Sequence, residues 1–461
     1  MTLIKSISGI RGTIGGKPGD NLTPLDVVKF SAAYAQWLMK KHNKSTLKVL
    51  LGRDARVSGP MVAQLVSGTL QGTGVDVIDL GLATTPTTEM SVVDLKADGG
   101  IILTASHNPA QWNALKLLNE KGEFISAADG QILLDLVESE DFTFTTFDKI
   151  GKIEAYTKAD DDHINHVLGL KLVDKAAIEA ADFTVALDCV NSVGGTILPK
   201  LLKALGVKNI IELYCEPNGI FPHNPEPLPE NLTEISSVIK ENGADVGFVV
   251  DPDVDRLAIL NEDGSMFGEE YTLVAVADYI LTHTPGSTVS NLSSTRALRD
   301  VTEQKGLTYT SAAVGEVNVV TQMKATNAVI GGEGNGGIIY PESHYGRDAL
   351  VGIALYLSHL AKTGMKSSEL RATYPEYFIS KNKVELTAGT DVDAILEEVK
   401  KKFADETLNL IDGVKIEFEK EWVHLRKSNT EPIIRIYSES ENESSANELA
   451  KKVIDVIKMV Q

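Results

Sequence analysis

Residues 99–109 read Gly99-Gly100-Ile101-Ile102-Leu103-Thr104-Ala105-Ser106-His107-Asn108-Pro109. The apolar run behind the two glycines is short and bounded by turn-forming residues, which predicts a buried strand. Pro109 restricts Asn108 to extended or turn geometry, so no helix continues from this point. Ser106 is thereby predicted on a loop at the end of a buried strand, where α/β folds carry reactive groups. A serine in a polar turn is by itself an ordinary turn residue. The rest of the chain gives it company.

Upstream, Thr23-Pro24 opens a helix with apolar residues at helical spacing through Trp37, and Lys5 to Gly12 alternates like a strand broken by glycines. Strands at Lys48–Gly52 and Val75–Gly81 then alternate with helices at about Pro60–Gln71 and after Thr84. Downstream of an acidic, loop-rich stretch at residues 138–162, the pattern resumes. It gives a strand at Phe183–Asp188, a helix at Ile197–Leu205, a strand at Asn209–Leu213, a helix at Ile235–Asn242 and a strand at Ala244–Val250. Five prolines between Pro217 and Pro229 predict an irregular loop. A third unit follows, with a helix opening at Glu269. The last ninety residues differ, with strands at Lys383–Leu386, Val414–Glu417, Val423–Leu425 and Ile433–Ser438 and helices at Val392–Phe403 and Ser444–Val460. The predicted fold class is α/β. Three consecutive α/β domains with mixed, mostly parallel sheets (1–150, 151–256, 257–371) precede a smaller α+β domain (372–461). A chain of 461 residues exceeds one hydrophobic core, and domains of about 100–150 residues give three or four.

Composition excludes several function classes. The formal charge is −20, from 64 acidic against 44 basic residues, which argues against nucleic-acid or anionic-membrane partners. If such a chain handles an anionic substrate, its basic groups must be concentrated at the site. No run of eighteen apolar residues predicts a membrane span, and the amino terminus carries no signal-peptide pattern. Cys189 and Cys215 stand alone without metal-ligand spacing, so a reduced, cytoplasmic setting is expected.

Three stretches carry chemistry. Asp251-Pro252-Asp253-Val254-Asp255-Arg256 follows a buried strand, and in extended backbone residues two apart face the same way, so three carboxylates converge. Such a set demands a cation, and oxygen-only ligands suit a hard one, Mg²⁺; an exposed acidic turn is the alternative. Leu425-Arg426-Lys427-Ser428-Asn429-Thr430-Glu431-Pro432, with Arg435, supplies arginines, hydroxyls and loop N–H groups suited to a phosphate. A polar turn between strands is the other reading. In Gly331-Gly332-Glu333-Gly334-Asn335-Gly336-Gly337 the glycines admit close approach, while Glu333 and Asn335 suit adjacent sugar hydroxyls. The stretch has neither the Lys-Ser/Thr of a P-loop nor the Rossmann glycine order.

In their order along the chain, I-S-G-I-R-G, T-A-S-H-N-P, D-P-D-V-D-R, G-E-G-N-G and R-K-S-N-T-E-P resemble the motifs of the α-D-phosphohexomutase family, across the whole sequence. The resemblance implies four domains around a central cleft and a phosphoserine enzyme. It would interconvert hexose 1- and 6-phosphates through a hexose 1,6-bisphosphate, which also acts as activator. Ser106 would carry the phosphoryl group and join Asp251, Asp253 and Asp255 at Mg²⁺. Arg11, Lys116 and His107 would complete the catalytic group, with Lys116 a proton-transfer candidate. Glu333 and Asn335 would bind the sugar, and Arg426, Ser428, Asn429, Thr430 and Arg435 the non-reacting phosphate. The expected partner is a small phosphosugar, glucosamine phosphate first, with glucose and mannose phosphates as alternatives, and the chain would be a monomer or homodimer.

Two positions depart from the family pattern. Gly337 stands where many members have histidine, which leaves that acid–base task to His344 or Lys116, and Asn335 stands where serine is common. A Mg²⁺-dependent phosphatase using Asp251 as nucleophile is the rival enzyme class, but it leaves Ser106 and the Arg426 loop without a role. A non-catalytic sugar-phosphate binder is the third reading.

Overall fold

A computed structural model of the protein describes residues 2–6, 9–44, 46–386, 391–427 and 433–460. The chain divides into two compact units, residues 1–272 with 336–368, and residues 273–335 with 369–461.

The first unit begins with β1 (Ile4–Ser6), β2 (Gly9–Thr13), α1 (Pro24–His42), β3 (Lys48–Arg53), α2 (Gly59–Gly72), β4 (Asp76–Leu82), α3 (Thr85–Asp94), β5 (Gly99–Leu103), β6 (Trp112–Leu118), α4 (Ala127–Ser139) and β7 (Ile153–Ala155). These strands form one seven-stranded sheet in the order β1-β2-β6-β5-β3-β4-β7. The β5-β3-β4-β7 side is parallel, whereas β6, β2 and β1 are added antiparallel. The sheet thus extends past residue 150 to include β7.

Local chemistry explains the elements. Asp26 accepts from the backbone N–H of Thr23 at 3.1 Å, closing the start of α1, and Val27, Phe30, Tyr34, Trp37 and Leu38 of that helix enter the core over the sheet. The Tyr34 hydroxyl donates to the carbonyls of Gly100 and Leu118. A Cβ on Gly99 would lie 2.2 Å from that hydroxyl, so glycine is required where β5 begins.

The same unit continues with α5 (Ala159–Gly169), α6 (Lys175–Ala181), β8 (Thr184–Asp188), α7 (Gly194–Leu205), β9 (Asn209–Leu213), α8 (Thr233–Asn242), β10 (Val246–Val250) and β11 (Leu257–Asn261). The second sheet runs β11-β10-β8-β9, parallel except for β11. Its buried face packs on Leu232, Ile235 and Ile239.

The unit boundary falls inside α9 (Glu269–His283). In the second unit, β12 (Thr288–Asn291), α10 (Ala297–Gln304), β13 (Tyr309–Ala312), α11 (Glu316–Thr326) and β14 (Ile330–Glu333) place β12 between β13 and β14, all parallel. The chain returns to the first unit for β15 (Gly337–Ile339) and α12 (Ala349–Thr363), and α13 (Ser367–Arg371) leads out again. It ends with β16 (Phe378–Glu385), α14 (Val392–Lys402), β17 (Thr407–Asn409), β18 (Val414–Glu417), β19 (Trp422–Lys427), β20 (Ile433–Ser440) and α15 (Glu443–Val460). This last sheet is wholly antiparallel, β16-β20-β19-β18-β17, with α14 and α15 closing its core. The predicted α+β lobe is therefore present. Among the described residues no helix is long and apolar enough to cross a membrane.

Candidate active site

Strand β5 is buried throughout and delivers Thr104, Ala105 and Ser106 at its end. Ser106 is 8% exposed and takes a left-handed backbone conformation, φ 49°, unusual for a residue with a Cβ. Such a conformation persists only where its surroundings over-determine it. The Ser106 N–H donates to Thr104 Oγ1 at 2.9 Å, and Thr104 Oγ1 donates to Asp54 Oδ2 at 2.7 Å. On the other side, the fully buried Arg56 donates through Nη2 to the carbonyls of Ser106 (2.5 Å) and Asn108 (2.7 Å). Its Nη1 donates to the carbonyls of Pro109 and Trp112, and its Nε to Asp54 Oδ2. Burial pushes the Asp54 carboxyl up, opposed by the Arg56 charge and the Thr104 hydroxyl. Thr104, Asp54 and Arg56 thus hold both peptide groups of Ser106 without touching its side chain.

Strand β10 ends at Val250, and the three aspartates just beyond it, Asp251, Asp253 and Asp255, are fully buried. The expected extended alternation is not how they converge. Residues 251–255 form a turn, with the Val254 N–H donating to the Asp251 carbonyl at 3.1 Å and Val254 itself left-handed at φ 64°. The turn brings oxygens of Asp251, Asp253 and Asp255 within 4.8 Å of one another. An extended strand would place alternate side chains about 7 Å apart, so the tight turn makes the better cage.

The two loops meet. Ser106 Oγ donates to Asp251 Oδ2 at 2.6 Å. Lys116, on β6, donates to Asp253 Oδ2 at 2.7 Å and lies 3.4 Å from Asp255 Oδ2. Thr85 Oγ1 donates to Asp253 Oδ2 at 2.5 Å, and Arg347 Nη2 to Asp255 Oδ2 at 2.7 Å. Burial and the charges of Asp253 and Asp255 push the Asp251 carboxyl well above the usual carboxylate range, against Arg256 and the Ser106 bond. Asp253 lies below that range, because the Lys116 charge and hydrogen bonds from Lys116 and Thr85 overcome its burial. Lys116 is held above its ordinary value, its burial outweighed by the two aspartates, and is a cation here. His107 Nδ1 lies 3.4 Å from Ser106 Oγ; burial and the nearby Arg256 push this imidazole down to about 2, so it is neutral.

The donor set fits a hard divalent cation. It is all oxygen, and Asp253 Oδ1 and Asp255 Oδ1 are buried with no hydrogen-bond partner, Asp255 Oδ1 having only the Arg256 guanidinium 4.0 Å away, a costly arrangement that a bound cation would relieve. Arg11 lies on β2 opposite Ala114 of β6, and lines with Ser106 and Lys116 a cavity of about 280 Å³. His344, an alternative for the acid–base task, is occupied otherwise: Nε2 lies 3.2 Å from Asp348 Oδ2 and Nδ1 3.6 Å from Glu89 Oε2.

Glu333, Asn335, Arg426 and Arg435 belong to the second unit. Glu333 Oε1 accepts from Asn291 Nδ2 at 2.9 Å and from the Gly315 N–H at 3.1 Å. Arg426 and Arg435 sit directly opposite in the β19–β20 register, and Arg426 Nε lies 2.8 Å from Asp412 Oδ2. Like charges so placed repel, an arrangement suited to receiving an anion. Ser428, Asn429 and Thr430 lie outside the described residues, as do Ile7 and Ser8 of the amino-terminal motif.

Neither Arg56, Thr85 nor Arg347 is marked by the sequence as part of the site. The available signal for Arg56 was an Asp and an Arg two apart directly after a buried strand.

Similarity to known proteins runs along nearly the whole chain. Four family models match in order: phosphoglucomutase/phosphomannomutase alpha/beta/alpha domain I at residues 3–144, domain II at 161–264, domain III at 268–377 and the C-terminal domain at 383–456. A phosphoglucomutase/phosphomannomutase of Thermococcus kodakarensis is 35% identical over 444 residues, covering 95% of this chain and 96% of the relative. A phosphoglucosamine/phosphogalactosamine mutase of Sulfurisphaera tokodaii is 30% identical over 459 residues, covering 97% and 98%. The solved structure of a phosphoglucomutase/phosphomannomutase family protein of Burkholderia thailandensis shares the fold, with a TM-score of 0.83, 24% identity and coverage of 99% and 97%. These matches, full-length and in domain order, agree with the clustering of Ser106, Lys116 and the aspartates: the chain belongs to the phosphoglucomutase/phosphomannomutase family of α-D-phosphohexomutases, isomerases that shift a phosphoryl group within a hexose phosphate.

Proposed function

We propose that the protein interconverts glucosamine 1- and 6-phosphates through phospho-Ser106 and the 1,6-bisphosphate. The observation that carries this reading is Ser106 Oγ at 2.6 Å from Asp251, inside a buried triad of aspartates. In the forward step the phosphoryl group leaves Ser106 Oγ for the free hydroxyl of the bound sugar. The hydroxyl proton is lost and Ser106 Oγ regains one. After the bisphosphate turns end for end, its other phosphate returns to Ser106. Asp251, Asp253, Asp255 and Ser106 would hold Mg²⁺, which when bound supplies positive charge against the transferring phosphoryl oxygens. Lys116, as a held cation, can give a proton but not accept one until it has done so, which suits it to the acid role. Arg11 and the neutral His107 border the reacting group, while Glu333 and Asn335 take sugar hydroxyls. Arg426 and Arg435, with Ser428, Asn429 and Thr430, hold the phosphate that is not reacting. Each loop falls in one of the four domains 1–150, 151–256, 257–371 and 372–461.

Both cysteines are free, in keeping with a cytoplasmic enzyme; a monomer or homodimer is the proposed assembly. The preference for glucosamine phosphate is supported by the Sulfurisphaera relative, and glucose and mannose phosphates are the competing substrates. The deciding experiment compares kcat/KM for the three hexose phosphates, with the bisphosphate supplied, in wild type and Ser106→Ala. Interconversion without phosphate release and a phosphate mass shift on Ser106 are expected, with activity abolished in the variant. Full activity in Ser106→Ala, or net release of inorganic phosphate, would sink the reading.

A further inference from the structure

Beyond the candidate residues of the second unit, a run of polar groups leads from Glu333 to Arg426 and back. Asn291, at the end of β12, donates to Glu333 Oε1. Its own Oδ1 accepts from the Ser293 N–H at 2.9 Å. Ser293 Oγ lies 2.9 Å from His424 Nδ1, and His424 Nε2 lies 2.6 Å from the carbonyl of Asp412. That carbonyl can only accept, so the imidazole proton sits on Nε2, and Nδ1 must receive the Ser293 hydroxyl proton. Asp412 Oδ2 meets Arg426 Nε and also accepts the Val314 N–H at 2.9 Å. The next residue, Gly315, donates its N–H to the Glu333 oxygen where the path began. The path is a closed ring.

Three features separate this ring from ordinary packing. Asn291, Glu333 and His424 are at most 6% exposed, so the Asn291–Glu333 bond is made in a poorly screened interior, while the other links are partly buried and Arg426 joins through an ion pair with Asp412. His424 and Arg426 are two apart on β19 and so share a face of the sheet. Removing the Ser293 hydroxyl leaves His424 Nδ1 unpaired, and removing the Asp412 carboxylate takes the partner of the Val314 N–H, so each of these links costs more to lose than an exposed bond.

We propose that this ring is a spacer: Asn291, Ser293, Asp412 and His424 are positioning residues that fix how far the Glu333 carboxylate stands from the Arg426 guanidinium. The inference rests on the reading that Glu333 takes sugar hydroxyls and Arg426 the non-reacting phosphate. A fixed spacing selects the length of sugar phosphate that both groups grip together. On this inference a hexose phosphate is gripped by both groups at once, and a pentose phosphate, one carbon shorter, by only one of them. The spacer acts on binding and not on the phosphoryl step, which takes place at Ser106.

The test uses the full-length, Ser106-phosphorylated enzyme with Ser293→Ala, Ser293→Thr, Asp412→Asn, Glu333→Gln, Arg426→Ala and the double variant Asp412→Asn/Glu333→Gln. Asp412→Asn and Ser293→Ala are each expected to raise KM for the hexose phosphate about 10-fold with kcat within about 2-fold. Ser293→Thr, which keeps the hydroxyl, restores KM. The kcat/KM preference for hexose over pentose phosphate falls about 10-fold in the ring variants. The double variant is expected to be little worse than its poorer parent, since the two residues act through one ring. Multiplicative effects in the double variant, a fall in kcat at unchanged KM, or an unaltered hexose preference would overturn the spacer. If Glu333→Gln and Arg426→Ala themselves leave KM unchanged, the assignment of these residues to substrate fails, and the spacer fails with it. Should Asp412→Asn not fold, Ser293→Ala, a half-buried hydroxyl deletion, decides alone.

Discussion

Ser106 and Asp251, 145 residues apart in sequence, are joined by a 2.6 Å hydrogen bond from the serine hydroxyl to the carboxylate. One sits at the end of β5 in the seven-stranded sheet and the other at the end of β10 in the four-stranded sheet. The chemistry therefore depends on how two strand ends are held, and most of what holds them is buried polar structure.

Arg56 is the first test of that view. Arg56→Lys keeps the charge but loses the fork that reaches four carbonyls, and Arg56→Ala also strands the buried Asp54. Alanine is expected to destabilise the protein by about 3–5 kcal/mol, and lysine by less. Both should lower the phosphorylation level of Ser106, read by intact mass after incubation with the bisphosphate. A fully phosphorylated Arg56→Lys protein would contradict the positioning role.

Lys116 occupies the same carboxylates that suit a cation. Lys116→Met is therefore expected to tighten Mg²⁺ binding about 10-fold, because a repelling charge is gone, while turnover falls by about 10²-fold or more. Calorimetric titration of the unphosphorylated protein with MgCl₂ measures the first effect without reference to activity. Weakened binding would show that the ammonium is not opposed to the metal.

Asp348 serves two ends. Its Oδ1 caps α12 through the Leu350 and Val351 N–H groups, and its Oδ2 meets His163 at 2.9 Å and His344 at 3.2 Å. Asparagine retains the cap, so Asp348→Asn should cost about 1–3 kcal/mol. Alanine loses both functions and should cost about 3–5 kcal/mol. Thermal unfolding of the two variants side by side gives the ordering, and equal losses would refute it.

His424 makes stability depend on pH. Burial, aided by Lys415 and Arg426, pushes it down to about 4 against the Asp412 carbonyl bond, while the unfolded chain keeps the ordinary value near 6.5. The unfolded state takes up its proton first as pH falls. The contribution is complete above pH 6.5 and is lost on descending to 4, at most about 3 kcal/mol. Urea midpoints at pH 7.5, 6 and 5 should fall more steeply for wild type than for His424→Gln, and parallel slopes would rule this out.

Much of this was legible in the sequence. The strands at Asn209–Leu213 and Val414–Glu417 are legible to the residue, because β-branched residues bounded by turn residues, alternating with polar ones in the second, leave little choice. The β6 strand was not, although it carries Lys116. Its Trp112-Asn113-Ala114 start looks like a continuing loop, and only pairing with β2 and β5 makes it a strand. β7 is short and exposed along its length, so no periodicity marks it. Ser106 and the aspartates could be found because their spacing is local. Arg56, Thr85 and Arg347 act at partners 50 or more residues away, and a lone side chain does not announce such a partner.

The bracket around Ser106 has one more consequence. Thr104 and Arg56 grip its amide and carbonyl, leaving Oγ out of the restraint. Charged or bare, the serine can keep one backbone shape. In the proposed phosphoserine cycle, an enzyme molecule that loses its phosphate to water would then need no refolding of this loop, and a single encounter with the bisphosphate would rearm it.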